Sequence, residues 1–380
     1  MKIAMIGTRG IPAKYGGFET AVEEIGSRLA GSGHEIIVYC RGADRSPYYR
    51  GMRRVRVPHL RSKAMETLSH AALSVLHTLT QRPDAVIIFN AANATLLPLL
   101  RWSGTRAAVH VDGLEWKREK WRGLGSKFYK RSERLAVRWA TELIADAKGI
   151  QDYYREEYRK DTVFIPYGAP ILSSPKISRL QELGLAANSY HLVVARLEPE
   201  NNVDLILEGY SKSTAQKQMV VVGSVPYASD HESRVRELAA RDRRVRMLGG
   251  VWDQDLLDAL YAGSLSYYHG HSVGGTNPSL LRAMGASAPV IAYDVVFNRE
   301  VLGTTGQYFS NADQLSKLAA TAEHSVATNR TIGLASQQRA AEHYRWDEVA
   351  RSYEDLCYRL AGPRRQVSSD GTGNGSHLKT

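Results

Sequence analysis

The sequence predicts an α/β protein built as two doubly wound domains facing a cleft. Three observations carry that prediction. With 380 residues the chain is too long for one ordinary core. Short apolar runs alternate with helix-period segments through the first half, and the same alternation restarts near residue 190. Between the halves, residues 167–178 (YGAPILSSPKIS) gather Gly168, Pro170, Pro175 and small polar residues, which marks a linker.

Taken in order, KIAMIG over residues 2–7 is an apolar strand that runs into the glycine loop GTRGIPAKYGGFET. Residues 20–30 follow with Ala21, Val22, Ile25 and Leu29 at helical spacing. Strands are expected at 35–40 and 55–57, a helix at 65–79, strands at 85–89 and 107–111, and a helix at 126–140. The strands ELIA and VFIP complete the first half. In the second half, strands are expected at 191–195, 219–223, 245–249, 264–268 and 289–293, with a helix at 253–262. Continuously apolar strands separated by helices imply parallel sheets covered on both faces. The domains are therefore expected at 1–168 and 169–343. A final helix over 344–361 is free to dock on either domain, and the polar, glycine-rich tail 362–380 is expected to be disordered.

Composition narrows the function class. At 43% hydrophobic and 23% charged residues the chain reads as globular, and no apolar run approaches the roughly 20 residues of a membrane span. The two cysteines, Cys40 and Cys357, are far apart and lack metal-ligand spacing, which points to a reducing cytoplasm. The net charge of +11 is concentrated in residues 50–63 and 117–131. Such stretches suit a polyanion or, equally, form a solvated basic face. The second interleaves its cations with Trp121, Phe128 and Tyr129, just after Trp116. That pattern fits the face of an anionic membrane, and core packing explains the rings as well. No nucleic-acid-binding motif is present, so nucleic acid is not an expected partner.

Candidate chemistry gathers where strands end, since ligands of doubly wound sheets bind at strand C-termini. The first glycine loop lacks the G-x-G-x-x-G spacing of dinucleotide binders, yet Gly16 and Gly17 allow a ligand close to the following helix. His110 and Asp112 share one face of a strand; His110 reads as structural, and Asp112 is the residue at the cleft. In ARLEPENN, Arg196 directly follows a strand and suits a bidentate pyrophosphate clamp, with Asn201 and Asn202 beside it. Gly223 ends another strand. In HGHSVGGTNPSLLRAM, His271, Gly274, Gly275 and Thr276 lead to Asn277, a natural N-cap, and Pro278, suited to a first helical turn. A glycine loop opening a helix cradles phosphate.

The order of IGTRGIPAKYGGFET, DGLEWKREKW, ARLEPENN, VVGS and HGHSVGGTNPSLLRAM resembles the retaining glycosyltransferases of family four, in the branch of bacterial rhamnosyltransferase-like enzymes. The resemblance implies the GT-B fold: a Rossmann-like acceptor-binding first domain, a nucleotide-sugar-binding second domain and a final helix crossing back. It also implies that Gly16 and Gly17 lie by the donor phosphate, that Asp112 stands near a sugar-facing histidine position, and that Arg196 clamps phosphate. Three positions depart from the pattern: Asn201 replaces a lysine, while Gly274 and Arg282 replace a pair of glutamates. An arginine has only donors and cannot accept from ribose hydroxyls. It either reaches the ligand or turns to a nearby acid such as Glu300.

The expected activity is sugar transfer from a nucleoside-diphosphate sugar to a glycan, lipid-linked or small-molecule acceptor, with retention. Asp112 and Arg196 are the catalytic candidates. The donor set is Gly16, Gly17, Arg196, Asn201, Asn202, Gly223, His271, Gly274, Gly275, Thr276, Asn277 and Arg282. No D-x-D stands at a strand end, so neither metal nor cofactor is expected. The cytoplasm is the expected location, with peripheral contact at the inner membrane face as an option. The competing reading is a catalytically silent binder of a sugar nucleotide or glycan.

Overall fold

The computed structural model describes residues 1–13, 16–41, 46–60, 65–111, 114–118, 123–224 and 230–362. The first half builds one sheet from β1 (Lys2–Ile6), β2 (Glu35–Cys40), β3 (Tyr48–Tyr49), β4 (Met52–Arg56), β5 (Ala85–Phe89), β6 (Ala107–His110), β7 (Glu142–Ala145) and β8 (Val163–Phe164). Their order is β3-β4-β2-β1-β5-β6-β7-β8, parallel throughout except for the antiparallel β3–β4 pair. The helices of this half are α1 (Gly17–Gly31), α2 (Met65–Gln81), α3 (Leu97–Trp102), α4 (Leu124–Trp139) and α5 (Lys148–Tyr158). Burial explains the apolar runs: Ile3 to Ile6 of β1 and all of β5 are shielded from solvent on both faces.

The second sheet is parallel, in the order β11-β10-β9-β12-β13-β14. Its strands are β9 (Tyr190–Val194), β10 (Gln218–Val222), β11 (Val245–Gly249), β12 (Ser266–His269), β13 (Val290–Tyr293) and β14 (Gln307–Phe309). Helices α6 (Val203–Ser211), α7 (Asp230–Arg241), α8 (Gln254–Ala262), α9 (Pro278–Gly285), α10 (Val296–Leu302), α11 (Ala312–His324) and α12 (Val326–His343) belong to it. Strand order reverses between β1 and β5 in the first sheet and between β9 and β12 in the second. Those are the crevices where a doubly wound sheet binds its ligand.

One strand is displaced from its expectation. Residues 55–57 were the expected strand, whereas β4 spans Met52–Arg56, three residues earlier. Arg53 and Arg54 hide it in the sequence; the strand lies near the sheet edge, and their guanidinium groups donate to Gln81 Oε1 at 3.0 Å and to the Ser46 carbonyl at 3.2 Å.

The last helix, α13 (Trp346–Ala361), lies on α1 of the first domain. Arg28 pairs with Asp347 at 2.8 Å and His34 with Glu354 at 2.6 Å. Leu356, Cys357 and Leu360 join the buried cluster that holds Ile3 and Ala85. The chain thus passes between the domains twice. The crossings lie side by side: Ala169 N–H donates to the Tyr344 carbonyl at 2.6 Å, and Trp346 fills the space a side chain at Gly168 would need. A further contact joins the domains, as both Glu300 oxygens on α10 accept the Lys148 N–H that opens α5, at 2.9 and 3.0 Å. A carboxylate at a helix N-terminus also meets the positive end of the helix dipole.

Candidate active site

Two helix N-termini from opposite domains meet in the cleft. Gly16 has φ 110° and leads into α1; a Cβ on Gly17 would lie 2.9 Å from the Cγ of Pro278, the first residue of α9. Asn277 caps α9 as expected from its type, accepting from the Ser279 N–H at 2.9 Å. The positive ends of both helix dipoles therefore meet, an arrangement suited to an anion.

The loop after β12 is locked against the first domain. Thr276 Oγ1 donates to the Asp146 carbonyl, at the end of β7, and a Cβ on Gly275 would fall 1.9 Å from Asp146 Oδ1. Only glycine fits there. Asp146 is 2% exposed, and burial pushes its carboxyl up to about 7, with the nearby Glu300 adding to the rise. Gly274, at φ 126°, holds a backbone shape that side chains disfavour.

The loop after β9 is braced against the same segment. Asn201 donates from Nδ2 to the Arg196 carbonyl at 2.8 Å, and its Oδ1 lies 2.8 Å from His271 Nδ1. Since that oxygen only accepts, Nδ1 of His271 carries the proton. Burial first, then Arg118, His269 and Arg196, keeps the His271 ring well below its ordinary pKa and hence neutral. Asn202 donates to the Gly270 carbonyl at 2.7 Å, and Ser272 donates twice to the Glu200 carbonyl, from its N–H and its hydroxyl, each at 2.9 Å. Both asparagines expected at the donor thus spend these bonds on joining two loops. Arg196 is 35% exposed in its side chain and pairs with Glu198 at 3.3 Å, and its charge reaches the His271 ring.

The other sequence-predicted positions behave differently. Gly223 approaches the β9 backbone: a Cβ there would strike the Ala195 carbonyl at 1.9 Å. Arg282 turns onto α8, with Nε 2.7 Å from Asp258 and Nη1 donating to Gln254 Oε1 at 2.6 Å. Its partner acid is Asp258 rather than Glu300, which already holds the start of α5. Asp112 lies outside the described residues. His110 is a packing residue: it stacks on Phe89 with centroids 5.8 Å apart and meets Phe18 edge-on at 5.1 Å. Burial pushes its pKa down to about 3. In the basic stretch, Trp116 carries Lys130 4.1 Å above its ring and Tyr129 is buried, so these two rings pack.

Sequence reasoning missed Asp146 and Arg118. Asp146 directly follows the strand ELIA, so the strand-end rule that selected Asp112 and Arg196 applies to it equally. Arg118 sits in DGLEWKREKW and carried no signal beyond charge.

Residues 1–170 match a family described as a domain of unknown function (DUF1972), and residues 189–327 match the family Glycosyl transferases group 1. The O-antigen chain mannosyltransferase B of Escherichia coli is 28% identical over 131 residues, which span 33% of this chain and 34% of that protein. A sucrose-phosphate synthase from Thermosynechococcus elongatus superposes with a TM-score of 0.80 at 19% identity, covering 94% of this chain and 98% of that one. The Anabaena HepE protein, solved in complex with UDP and glucose, gives 0.75 at 17% identity, with 94% and 99% covered.

Proposed function

We propose that this chain, a GT-B protein whose second domain matches the glycosyl transferases group 1 family over residues 189–327, transfers sugar from a nucleoside-diphosphate donor. The observation that carries this reading is the meeting of the α1 and α9 N-termini at Gly17 and Pro278, with the Arg196 charge acting on His271 in the loop leading to α9. In the reaction the anomeric carbon loses its bond to the diphosphate and gains one to an acceptor hydroxyl on the same face. The acceptor proton passes to the departing phosphate. Arg196 and the amides of Gly275, Thr276 and Asn277 meet the charge that develops on that leaving group, without a metal ion. Asp112 orients the incoming sugar or hydroxyl.

The name of the O-antigen mannosyltransferase supports a polysaccharide acceptor and a hexose as the sugar moved. Exposed Trp102 and Leu124, with Arg101 and Lys127 beside them in sequence, favour peripheral contact with an anionic membrane where a lipid-linked acceptor would reside. The test is nucleotide release from a panel of UDP-, GDP- and dTDP-sugars, in EDTA and with magnesium. Turnover of one donor in EDTA supports the reading. Tight donor binding with no release, even with acceptor extracts, would favour a silent sugar-nucleotide binder.

A further inference from the structure

Helix α5 of the first domain begins without a cap of its own. Its N-cap position is Ala147, whose side chain cannot accept a hydrogen bond. The amides of a first helical turn have no partner within the helix, so one must come from outside. The second domain supplies it. Both Glu300 oxygens on α10 accept the Lys148 N–H, at 2.9 and 3.0 Å, and the Gly149 N–H also faces that carboxylate. The Phe297 ring takes the side-chain space of Gly149, where a Cβ would lie 2.9 Å from Phe297 Cε1. One polar and one apolar contact thus seat α10 on α5. From α12, Arg339 fixes the other end of α10, donating to the carbonyls of Val301 at 2.7 Å and Glu300 at 3.0 Å.

The same short helix carries the donor loop. Two residues before Glu300, Asn298 is 2% exposed and donates from Nδ2 to the His271 carbonyl at 2.9 Å and the Tyr293 carbonyl at 2.8 Å. His271 opens the stretch that runs through Gly275 and Thr276 to the start of α9. At its far side, Thr276 Oγ1 donates to the Asp146 carbonyl, two residues before Lys148. The first-domain segment 146–149 is therefore gripped at one end by the donor loop and at the other by α10, and Asn298 ties the two grips together. Movement of α10 off α5 would draw the His271 carbonyl along while Thr276 stayed with Asp146. The loop between them would change shape, as coupling carried by a contiguous chain of hydrogen bonds requires.

We propose that Glu300 is a positioning residue for the donor loop: seated on the α5 amides it sets the place of α10, and through Asn298 it sets the loop that receives the diphosphate. The inference rests on the sugar-nucleotide reading above and deepens it. Glu300 stays with Lys148 and acts without touching the ligand. Such coupling is reciprocal: a cap that strengthens nucleotide binding is strengthened by bound nucleotide to the same degree.

The experiment begins with calorimetric titration of the full chain with UDP, GDP and dTDP, and proceeds with the diphosphate bound most tightly. Glu300→Gln keeps one carbonyl oxygen for the Lys148 N–H, whereas Glu300→Ala keeps none. The alanine variant is expected to bind nucleotide about tenfold more weakly, with most of that loss recovered in Glu300→Gln. Hydrogen exchange reads the reverse direction. Saturating nucleotide should slow exchange of the Lys148 and Gly149 amides in the parent by about the same factor and leave it unchanged in Glu300→Ala. A merely structural Glu300 would leave those amides indifferent to nucleotide. Indifferent amides in a parent that binds, or parental affinity in Glu300→Ala, overturn the role. The exchange measurement on the parent decides the matter even where the alanine variant fails to fold. If the parent binds none of the three diphosphates, the sugar-nucleotide reading itself falls; a parent that binds with indifferent amides removes the positioning role alone.

Discussion

At the scale of single residues, the two arginines singled out in the sequence have different fates. Arg196 is half-buried and pairs with Glu198 at the surface of its loop, so its removal is expected to cost ligand binding more than folding. Arg196→Ala is expected to weaken nucleoside diphosphate binding by about 1.5–3 kcal/mol, a tenfold or greater rise in Kd by calorimetry. Arg282 is committed to Asp258 and Gln254 across the α8–α9 contact. Arg282→Ala is expected to lower stability by about 1 kcal/mol in denaturant titration, with nucleotide affinity unchanged. A double-mutant cycle with Asp258→Asn should return most of that loss as coupling. The type of residue at each of these positions was legible in the sequence; its partner was not. Asp258 precedes Arg282 by 24 residues, and only the packing of α8 on α9 brings them together. The asparagines make the same point: amide chemistry beside Arg196 signalled ligand contacts, while the fold uses Asn201, through His271, and Asn202, through Gly270, to join loops.

At the scale of elements, strand ends and helix caps were the readable features. Apolar runs identified β1, β5, β9 and β10 within a residue or two, because a parallel strand buried on both faces leaves no alternation to confuse. Asn277 and Pro278 announced the start of α9. The short strands β3 and β14 gave no such signal, since two or three residues are too few for a period. The contact between the α9 loop and the end of β7 has a pH signature. The Asp146 carboxyl is raised from 3.8 in the unfolded chain to about 7 in the fold. Its stabilising contribution is therefore complete below about 4 and declines as pH rises towards 7, by up to about 1.4 kcal/mol per unit. Asp146→Asn, close in shape and uncharged, is expected to flatten that dependence. Denaturant midpoints measured from pH 5 to 8 should show the variant gaining on the parent as pH increases; a parallel pair of curves would refute the assignment.

At the scale of the whole molecule, the linker and the returning helix were each foreseeable, but their adjacency was not. Residues 167–178 are rich in breakers, and the period of residues 346–360 is plain. Nothing in the sequence says that Ala169 and Tyr344, 175 positions apart, share a hydrogen bond. Because α13 is anchored on α1, a cut in the linker leaves the second domain attached by its other crossing. Ser173 and Ser174 are exposed. A protease site engineered there is expected, once cleaved, to leave two fragments that co-elute on a sizing column and separate only in denaturant. The paired crossings also govern how the cleft can open. A body pivoted at two neighbouring points swings about the line through both and resists twisting about any other. The second domain should then move like a door leaf, with displacement growing in proportion to distance from the hinge line. Loop residues far from Ala169 would part widely while those near it scarcely shift. One interdomain distance, followed by a pair of fluorophores, would describe the whole motion.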